Sequence, residues 1–307
     1  MTSGALQSSQ ESSKQRPAAT PRSGIVWLAS YPKSGNTWTR AFLHNLVHVT
    51  SGQKQTQKIN ELDQFSVGSA GKPFFEEVIG FELTDKHREE IAAARPRVQQ
   101  NMADAAEGLI FVKTHQAIVI DRGHPTINFA VTAGAIYIVR NPLDVAISYA
   151  HHQGKSIDFA IDFMNMKNAE TSVTEKQVNE TYGSWSQHVM SWTRKPHPAI
   201  YVMRYEDMLA KAQKTFGALA RHLLFRLSES ELADAIDRSS FARLREQEEK
   251  AGFKERPEEA ERFFREGRTG QWKEVLTPQQ IQRIVDMASR CSALVICRLS
   301  LIRQCTF

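Results

Sequence analysis

Four short apolar runs recur along the chain, and each of them is followed by polar residues. The first begins at Gly24, and the others occupy residues 108–115, 134–140 and 199–207. Unbroken apolar runs of this length are typical of strands that are buried on both faces of a sheet. Because long helical stretches separate them, the pattern predicts an α/β fold, with a central parallel sheet flanked by helices and right-handed crossovers.

The first run leads through a short loop into an amphipathic helix. Its inward positions follow helical spacing and are Trp38, Ala41, Phe42, Asn45, Leu46 and Val49. A helix N-terminus offers unpaired backbone N–H groups and partial positive charge, and the preceding loop brings Lys33 to the same place. The pattern therefore predicts a P-loop-like strand–loop–helix that binds phosphate.

The order of residues in this loop differs from that of the common nucleotide-binding loop. The motif G-x-x-x-x-G-K-[ST] has its Lys after the second Gly, whereas Lys33 precedes Gly35 here. From Lys33, Ser34 and Gly35 alone, an ordinary turn between a strand and a helix is an equally good interpretation.

Basic and aromatic side chains stand near the ends of the predicted strands. They are Lys33, Lys113, His115, Arg140 and Tyr205. The carboxyl ends of parallel strands meet at one edge of a sheet, and ligands of open α/β sheets bind there. We therefore expect these side chains to converge on one binding site.

The C-terminal third has the pattern of helices with clear start signals. Asn141 is a good N-cap ahead of Pro142, and Ser228 and Thr277 each open a capping box. A basic, glycine-containing loop at residues 263–273 precedes the last helix. We expect residues 23–290 to form one domain, between a disordered tail at residues 1–22 and an atypical tail at residues 291–307.

Composition narrows the class of protein. The chain has 307 residues and is 41% hydrophobic, which suits a globular protein. Its formal charge of +5 is explained equally well by a basic stripe for nucleic acid and by anionic small-molecule ligands. No apolar run approaches the ~20 residues of a membrane span. The only 3 cysteines lie near the C-terminus without metal-ligand spacing. These observations predict a cytoplasmic protein without a membrane partner, a metal site or a disulfide framework.

The string Ser-Tyr-Pro-Lys-Ser-Gly-Asn-Thr-Trp, which ends at Trp38, closely resembles the 5′-phosphosulfate loop of sulfotransferases that use 3′-phosphoadenosine 5′-phosphosulfate (PAPS). Four further segments resemble motifs of this family and occur in the family's order: K-T-H at residues 113–115, R-N-x-x-D-x-x-x-S at 140–148, Y-E-D at 205–207 and R-x-G-x-x-G-x-W-K at 265–273. The chain departs from the family at Asn36, where Thr is usual, and at Glu266, where Lys is usual. An Asn can still donate a hydrogen bond, and we exclude Glu266 from the site.

The resemblance implies a reaction and roles for individual residues. A sulfuryl group would pass in line from PAPS to a hydroxyl, or less often an amine, releasing adenosine 3′,5′-bisphosphate (PAP) without a metal. His115 would be the general base, and Lys33 and Lys113 would stabilise the leaving phosphate. The residues implied to bind the nucleotide are Lys33, Ser34, Gly35, Asn36, Thr37, Trp38, Arg140, Ser148, Tyr205, Arg265 and Gly267.

The acceptor is left open by the sequence. Candidate acceptor-binding residues are Phe74, Phe75, Phe81, His151 and His152, for which a core edge and a solvated helix end are the alternatives. We expect a small hydroxylated molecule and no nucleic acid, with phenol, alcohol, glycan and peptide acceptors and a monomer or a homodimer all open. Two other functions stay as alternatives: a P-loop kinase that needs Mg²⁺, and a basic nucleotide- or RNA-binding module without catalysis.

Overall fold

The computed structural model describes residues 23–289, and its centre is a five-stranded parallel sheet. The strands in chain order are β1 (Gly24–Ser30), β2 (Ser66–Gly68), β3 (Leu109–Thr114), β4 (Ile120–Asp121), β5 (His124–Pro125), β6 (Thr132–Val139) and β7 (Ile200–Arg204). The sheet has the order β2-β3-β1-β6-β7, and β4 and β5 form a separate antiparallel pair. The tails predicted at residues 1–22 and 291–307 lie outside the described residues.

The helices fill the connections between the strands. In chain order they are α1 (Asn36–Thr50), α2 (Leu62–Phe65), α3 (Lys72–Ile79), α4 (Arg88–Asp104), α5 (Pro142–Gln153), α6 (Ile157–Asn165), α7 (Trp185–Thr193), α8 (Tyr205–Ala210), α9 (Ala212–His222), α10 (Glu229–Arg238), α11 (Phe241–Ala251), α12 (Trp272–Val275) and α13 (Pro278–Ala288). None of the helices within residues 23–289 has the length and apolar character that crossing a membrane requires.

Both faces of the sheet are buried, which explains the unbroken apolar strands. Successive side chains of a strand point to opposite faces. Trp27 belongs to a core with residues of α4, α5, α7 and α13, whereas Leu28 belongs to a second core with residues of α1, α9 and α10. Every residue of β1 is therefore buried. The predicted α/β architecture, with helices flanking a central parallel sheet, is confirmed.

Two features of the sheet differ from the sequence prediction. Strand β2 lies in a polar stretch for which no strand was predicted, because its short segment has no apolar pattern of its own and is held by pairing with β3. The fourth predicted strand, at residues 199–207, is longer than the strand in the structure. Strand β7 ends at Arg204, and the Tyr-Glu-Asp segment begins α8.

The predicted helix starts agree with the structure. The Asn141 side chain accepts a hydrogen bond from the backbone N–H of Leu143 at the start of α5. Ser228 and Thr277 both form capping boxes, at the starts of α10 and α13. Capping depends on residues adjacent in sequence, so local reasoning was sufficient here.

Candidate active site

The loop between β1 and α1 is built for close approach of a ligand to the backbone. Gly35 is the N-cap of α1 in the left-handed conformation (φ 105°), and a Cβ there would lie 2.7 Å from the Tyr205 ring. The first N–H groups of any α-helix have no intrahelical partner, and in α1 no side chain caps them either. They are therefore available to an anion.

Two side chains near this helix start, Ser34 and Asn36, differ in their hydrogen bonding. Ser34 is buried, and its Oγ makes no hydrogen bond within the described residues. A buried hydroxyl without a partner is costly, so it favours a ligand atom in this loop. The Asn36 side chain does not provide the donor that was expected of it: its Nδ2 donates to the Leu28 carbonyl at 2.8 Å and to Ser30 Oγ at 3.3 Å. Its side-chain amide is thus engaged by β1.

A cavity of about 710 Å³ lies at the carboxyl edge of the sheet beside this loop. Most of the residues predicted for the site contribute to its wall. They are Lys33, Gly35, Asn36, Thr37, Trp38, Lys113, His115, Arg140, Ser148, His152, Tyr205, Arg265 and Gly267. Residues that are far apart in sequence therefore meet at the place where the strand pattern predicted a ligand.

Lys33 lies in a strongly electropositive part of the cavity. Its Nζ is 3.4 Å from His152 Nδ1 and 4.0 Å from the centroid of the Phe263 ring. Burial, and then repulsion by Arg140 and Lys113, lower the pKa of Lys33 to about 7. A bound anion would offset this repulsion and restore the charge of the ammonium group.

Arg140 connects separate segments of the candidate site. Its guanidinium donates to the Lys33 carbonyl at 2.9 Å and to the Arg268 carbonyl at 3.4 Å, and it lies 4.2 Å from the centroid of the Tyr205 ring. Its Nε is buried and makes no hydrogen bond within residues 23–289. The Tyr205 ring in turn meets Trp38 edge to face at 5.8 Å. Trp38 therefore both packs against aromatic neighbours and lines the cavity.

The hydrogen bonds of His115 define its tautomer. Its Nδ1 lies 2.7 Å from the Ser30 carbonyl, which can only accept, so Nδ1 carries the proton. Nε2 then holds a free lone pair on a residue that lines the cavity. Burial, followed by repulsion from Lys113, lowers the pKa of His115 to about 3. The ring is therefore neutral at pH 7, and bound phosphates that offset the charge of Lys113 would raise its basicity.

Lys113 lies in the same cavity, but its charge is already paired. Its Nζ is 3.1 Å from Glu255 Oε2, and Arg40 donates to the same carboxylate at 2.8 and 3.0 Å. Burial raises the pKa of Glu255, but Lys113 and Arg40 outweigh burial and lower it to about 2. Arg40 and Glu255 were missed by the sequence analysis, because neither lies in a motif and only the fold brings them together.

Three buried or half-buried carboxylates hold the motif segments in place. Asp144 accepts from the backbone N–H groups of Gly270 at 2.8 Å and Trp272 at 3.3 Å, which ties α5 to the C-terminal loop. Glu206 accepts from the N–H of Asn141 at 2.9 Å. Glu248 of α11 accepts from two consecutive N–H groups of the same C-terminal loop. Asp144 and Glu206 lie inside quoted motifs, whereas Glu248 had no sequence signal.

The C-terminal loop also accommodates its unusual Glu266. This carboxylate pairs with Arg265 at 2.6 Å and with Arg268 at 2.7 Å. Arg265 additionally donates to the side chain of Gln271. Gly267 has φ 62° and lies so close to Phe241 that a Cβ would be 2.4 Å from its ring. The two arginines neutralise Glu266, which explains how the loop tolerates it beside an anion site.

The candidate acceptor residues are not brought together. His152 lines the cavity, but the other four do not. Phe75 is fully buried in the core, and Phe74 and Phe81 of the α3 region are 37% and 47% exposed. His151 is exposed on α5. The alternatives considered for these residues, a core edge and a solvated helix end, describe their positions better than a shared pocket does.

The fold and this cavity define an α/β protein with a P-loop-like strand–loop–helix beside an electropositive cavity. Residues 24–291 match the family model of the sulfotransferase domain, so the chain belongs to the sulfotransferase family. The luciferin sulfotransferase of Photinus pyralis is 26% identical over 73% of this chain and 57% of its own length. Sulfotransferase 1B1 of Mus musculus is 26% identical over 85% of this chain and 80% of its own length. The predicted family and its class of reaction, sulfuryl transfer, are confirmed.

Solved structures agree on the fold. The mouse sulfotransferase SULT7A1 complexed with PAP has a TM-score of 0.55 at 19% identity, over 89% of this chain and 87% of that chain. Retinol dehydratase in a complex with retinol and PAP has a TM-score of 0.59 at 19% identity, over 87% of this chain and 82% of that chain. No group of acidic, histidine or cysteine side chains within residues 23–289 has the arrangement of a metal site.

Proposed function

We propose that this protein transfers a sulfuryl group from PAPS to a hydroxyl group of a small-molecule acceptor. One observation carries the proposal: the open N-terminus of α1, Lys33, Arg140 and His115 share a single cavity. The first two suit the 5′-phosphosulfate, Arg140 suits the 3′-phosphate, and His115 suits the acceptor. The PAP bound to the structural neighbours supports the same nucleotide.

Each part of the nucleotide has a matching group in the chain. The backbone N–H groups at residues 34–37 and the Ser34 hydroxyl hold the 5′-phosphate. Arg140, through its free Nε, joins Ser148 and Arg265 at the 3′-phosphate, because a guanidinium is a natural partner for a phosphate dianion. Trp38 and Tyr205, which both line the cavity, would contact the adenine.

His115 and Lys33 serve the chemical step. PAPS supplies a sulfuryl group on a good phosphate leaving group. His115 Nε2 takes the proton of the acceptor hydroxyl. At the same time the hydroxyl oxygen forms a new bond to sulfur, and the bond between sulfur and the phosphate oxygen of PAPS breaks. Lys33 stabilises the charge that develops on that phosphate oxygen. The charge of Lys113 is already paired with Glu255, so we assign it the lesser role.

Relatives support a small acceptor. Besides the luciferin sulfotransferase, they include a flavonol 3-sulfotransferase from Flaveria bidentis and a 3-alpha-hydroxysteroid sulfotransferase from Cavia porcellus. Their names all specify compact hydroxylated molecules. We extend this class of acceptor to the present chain and place the reaction in the cytoplasm, as the cysteine usage predicted.

Calorimetric titration with PAP, AMP and ATP–Mg²⁺ tests the choice of nucleotide. We expect PAP to bind at least about tenfold more tightly than AMP, because a charged hydrogen bond to the 3′-phosphate contributes ~1.5–3 kcal/mol. We also expect PAP to bind more tightly than ATP–Mg²⁺. Tighter binding of ATP–Mg²⁺ would instead support the kinase alternative and contradict the proposal.

Replacing Arg140 with alanine tests the 3′-phosphate site. We expect PAP affinity to fall on the order of 10- to 100-fold and the preference for PAP over AMP to disappear, since AMP lacks the group that Arg140 binds. Titration of both nucleotides measures this directly. Arg226→Ala, which removes an exposed arginine outside the cavity, is the matched control. An equal loss for PAP and AMP would show that Arg140 acts only by supporting the Lys33 loop.

A further inference from the structure

The cavity contains a second functional group beside His115 that the proposed reaction does not use. Glu180 is 7% exposed and lines the cavity. Its Oε1 accepts from the backbone N–H of His115 at 2.9 Å and from Ser69 Oγ at 3.3 Å. For Oε2, no hydrogen bond occurs within the described part of the chain. A buried carboxylate with one satisfied and one open oxygen favours a donor on the ligand.

The charges around the cavity indicate which kind of donor fits. Lys33, Lys113 and Arg140 all line the same cavity. Burial raises the pKa of Glu180, whereas the His115 backbone N–H and Lys113 favour its charged form. In the free protein a protonated amine would be repelled by these cations, whereas a hydroxyl group is neutral and can donate to a carboxylate with or without bound nucleotide. A hydroxyl is therefore the donor that suits this oxygen.

We propose that Glu180 binds a second hydroxyl group of the acceptor, so that the preferred substrates are diols in which one hydroxyl faces His115 and its near neighbour faces Glu180. This inference rests on the proposed function and narrows its substrate class. The hydrogen bond from the His115 backbone to Glu180 keeps the two groups adjacent. The second hydroxyl of a diol can donate to Glu180 Oε2, a hydrogen bond that a mono-alcohol facing His115 cannot form. Polar subsites of this kind discriminate strongly between substrates that have the donor and those that lack it.

The test compares matched phenols on the protein–PAP complex. Catechol, resorcinol and phenol are titrated calorimetrically into wild-type protein saturated with PAP. We expect at least one of the two diols to bind on the order of tenfold more tightly than phenol. Equal affinity of all three for the wild-type complex overturns the proposal without any variant. Absence of PAP binding at the first step would overturn the proposed function itself, and the subsite with it.

Two variants then test whether the preference for diols over phenol depends on Glu180. Glu180→Gln keeps an oxygen that can accept from His115 and Ser69 but removes the charge, so the diol-to-phenol affinity ratio should fall about tenfold. Glu175→Gln removes the same charge from an exposed position in the same loop and should keep the wild-type ratio. A ratio that is unchanged in Glu180→Gln, with both affinities lowered alike, would mean that Glu180 only supports the backbone and would refute the subsite.

Discussion

Replacing His115 with alanine is expected to lower kcat/KM for the acceptor by about 10²–10⁴-fold while PAP still binds, because a positioned general base contributes that much. The expectation depends on the hydrogen bond from Nδ1 to the Ser30 carbonyl, which leaves Nε2 unprotonated toward the cavity. Burial and Lys113 lower the pKa of His115, so the ring is in its basic form at neutral pH. Initial rates of PAPS-dependent sulfation measure the effect.

The control for this experiment is another histidine. His197 is exposed in the loop before β7 and lies outside the catalytic cavity, so His197→Ala should keep the wild-type rate. PAP titration of both variants separates a lost base from a damaged nucleotide site. A His115→Ala protein that retains more than about a tenth of wild-type kcat/KM would refute the assignment of His115 as the base.

Replacing Lys33 with alanine is expected to lower the turnover number by about 10²–10³-fold, the range found when one group that stabilises developing negative charge is removed. The loop should keep its shape, because its backbone is held by Arg140 and by the left-handed Gly35. Single-turnover rates with PAPS and a phenol measure the loss. Lys155→Ala, an exposed lysine just after α5, is the matched control. Retention of near-wild-type turnover would remove Lys33 from the chemical step.

If Lys33 contacts the phosphate, PAP binding should be coupled to proton uptake by its amine. A lysine that does not contact the nucleotide would show no such uptake. Because its pKa in the free protein is about 7, the amine is mostly neutral at about pH 8, whereas the phosphates of PAP are already ionised. Bound phosphate favours the charged amine, so PAP binding should take up protons at that pH. Affinity should rise as the pH falls toward 7 and change little below it. Calorimetry in HEPES and Tris buffers measures the uptake, which Lys33→Ala should abolish.

The residues that could be placed at the candidate site from sequence depend either on neighbours along the chain or on the shared edge where parallel strands end. Lys33 and Gly35 could be assigned because a strand, a tight loop and a helix start within a few residues of one another. His115 and Arg140 could be assigned because they follow two strands of one parallel sheet, whose ends must meet. The capping residues were predictable for the same reason, since a cap and its partner are only a few residues apart.

Prediction failed where a side chain finds its partner across the fold. Arg40 pairs with Glu255, 215 residues further along the chain, and neither residue lies in a motif. The aromatic side chains of α3 pack in the core or face outward, since the orientation of that helix is set by α4 and not by its own sequence. Strand β2 exists only through its pairing with β3.

By itself, the sequence determined the α/β class, the strand–loop–helix formed by β1 and α1, and the order of the motif segments, because these depend on local periodicity and on residues adjacent in the chain. Only the tertiary structure decided that Glu255 pairs with Lys113 and Arg40, and that Glu180 Oε1 accepts the backbone N–H of His115. The physical reason is that charge pairing and desolvation depend on distances between distant segments, which are defined only when the sheet and its two cores have formed.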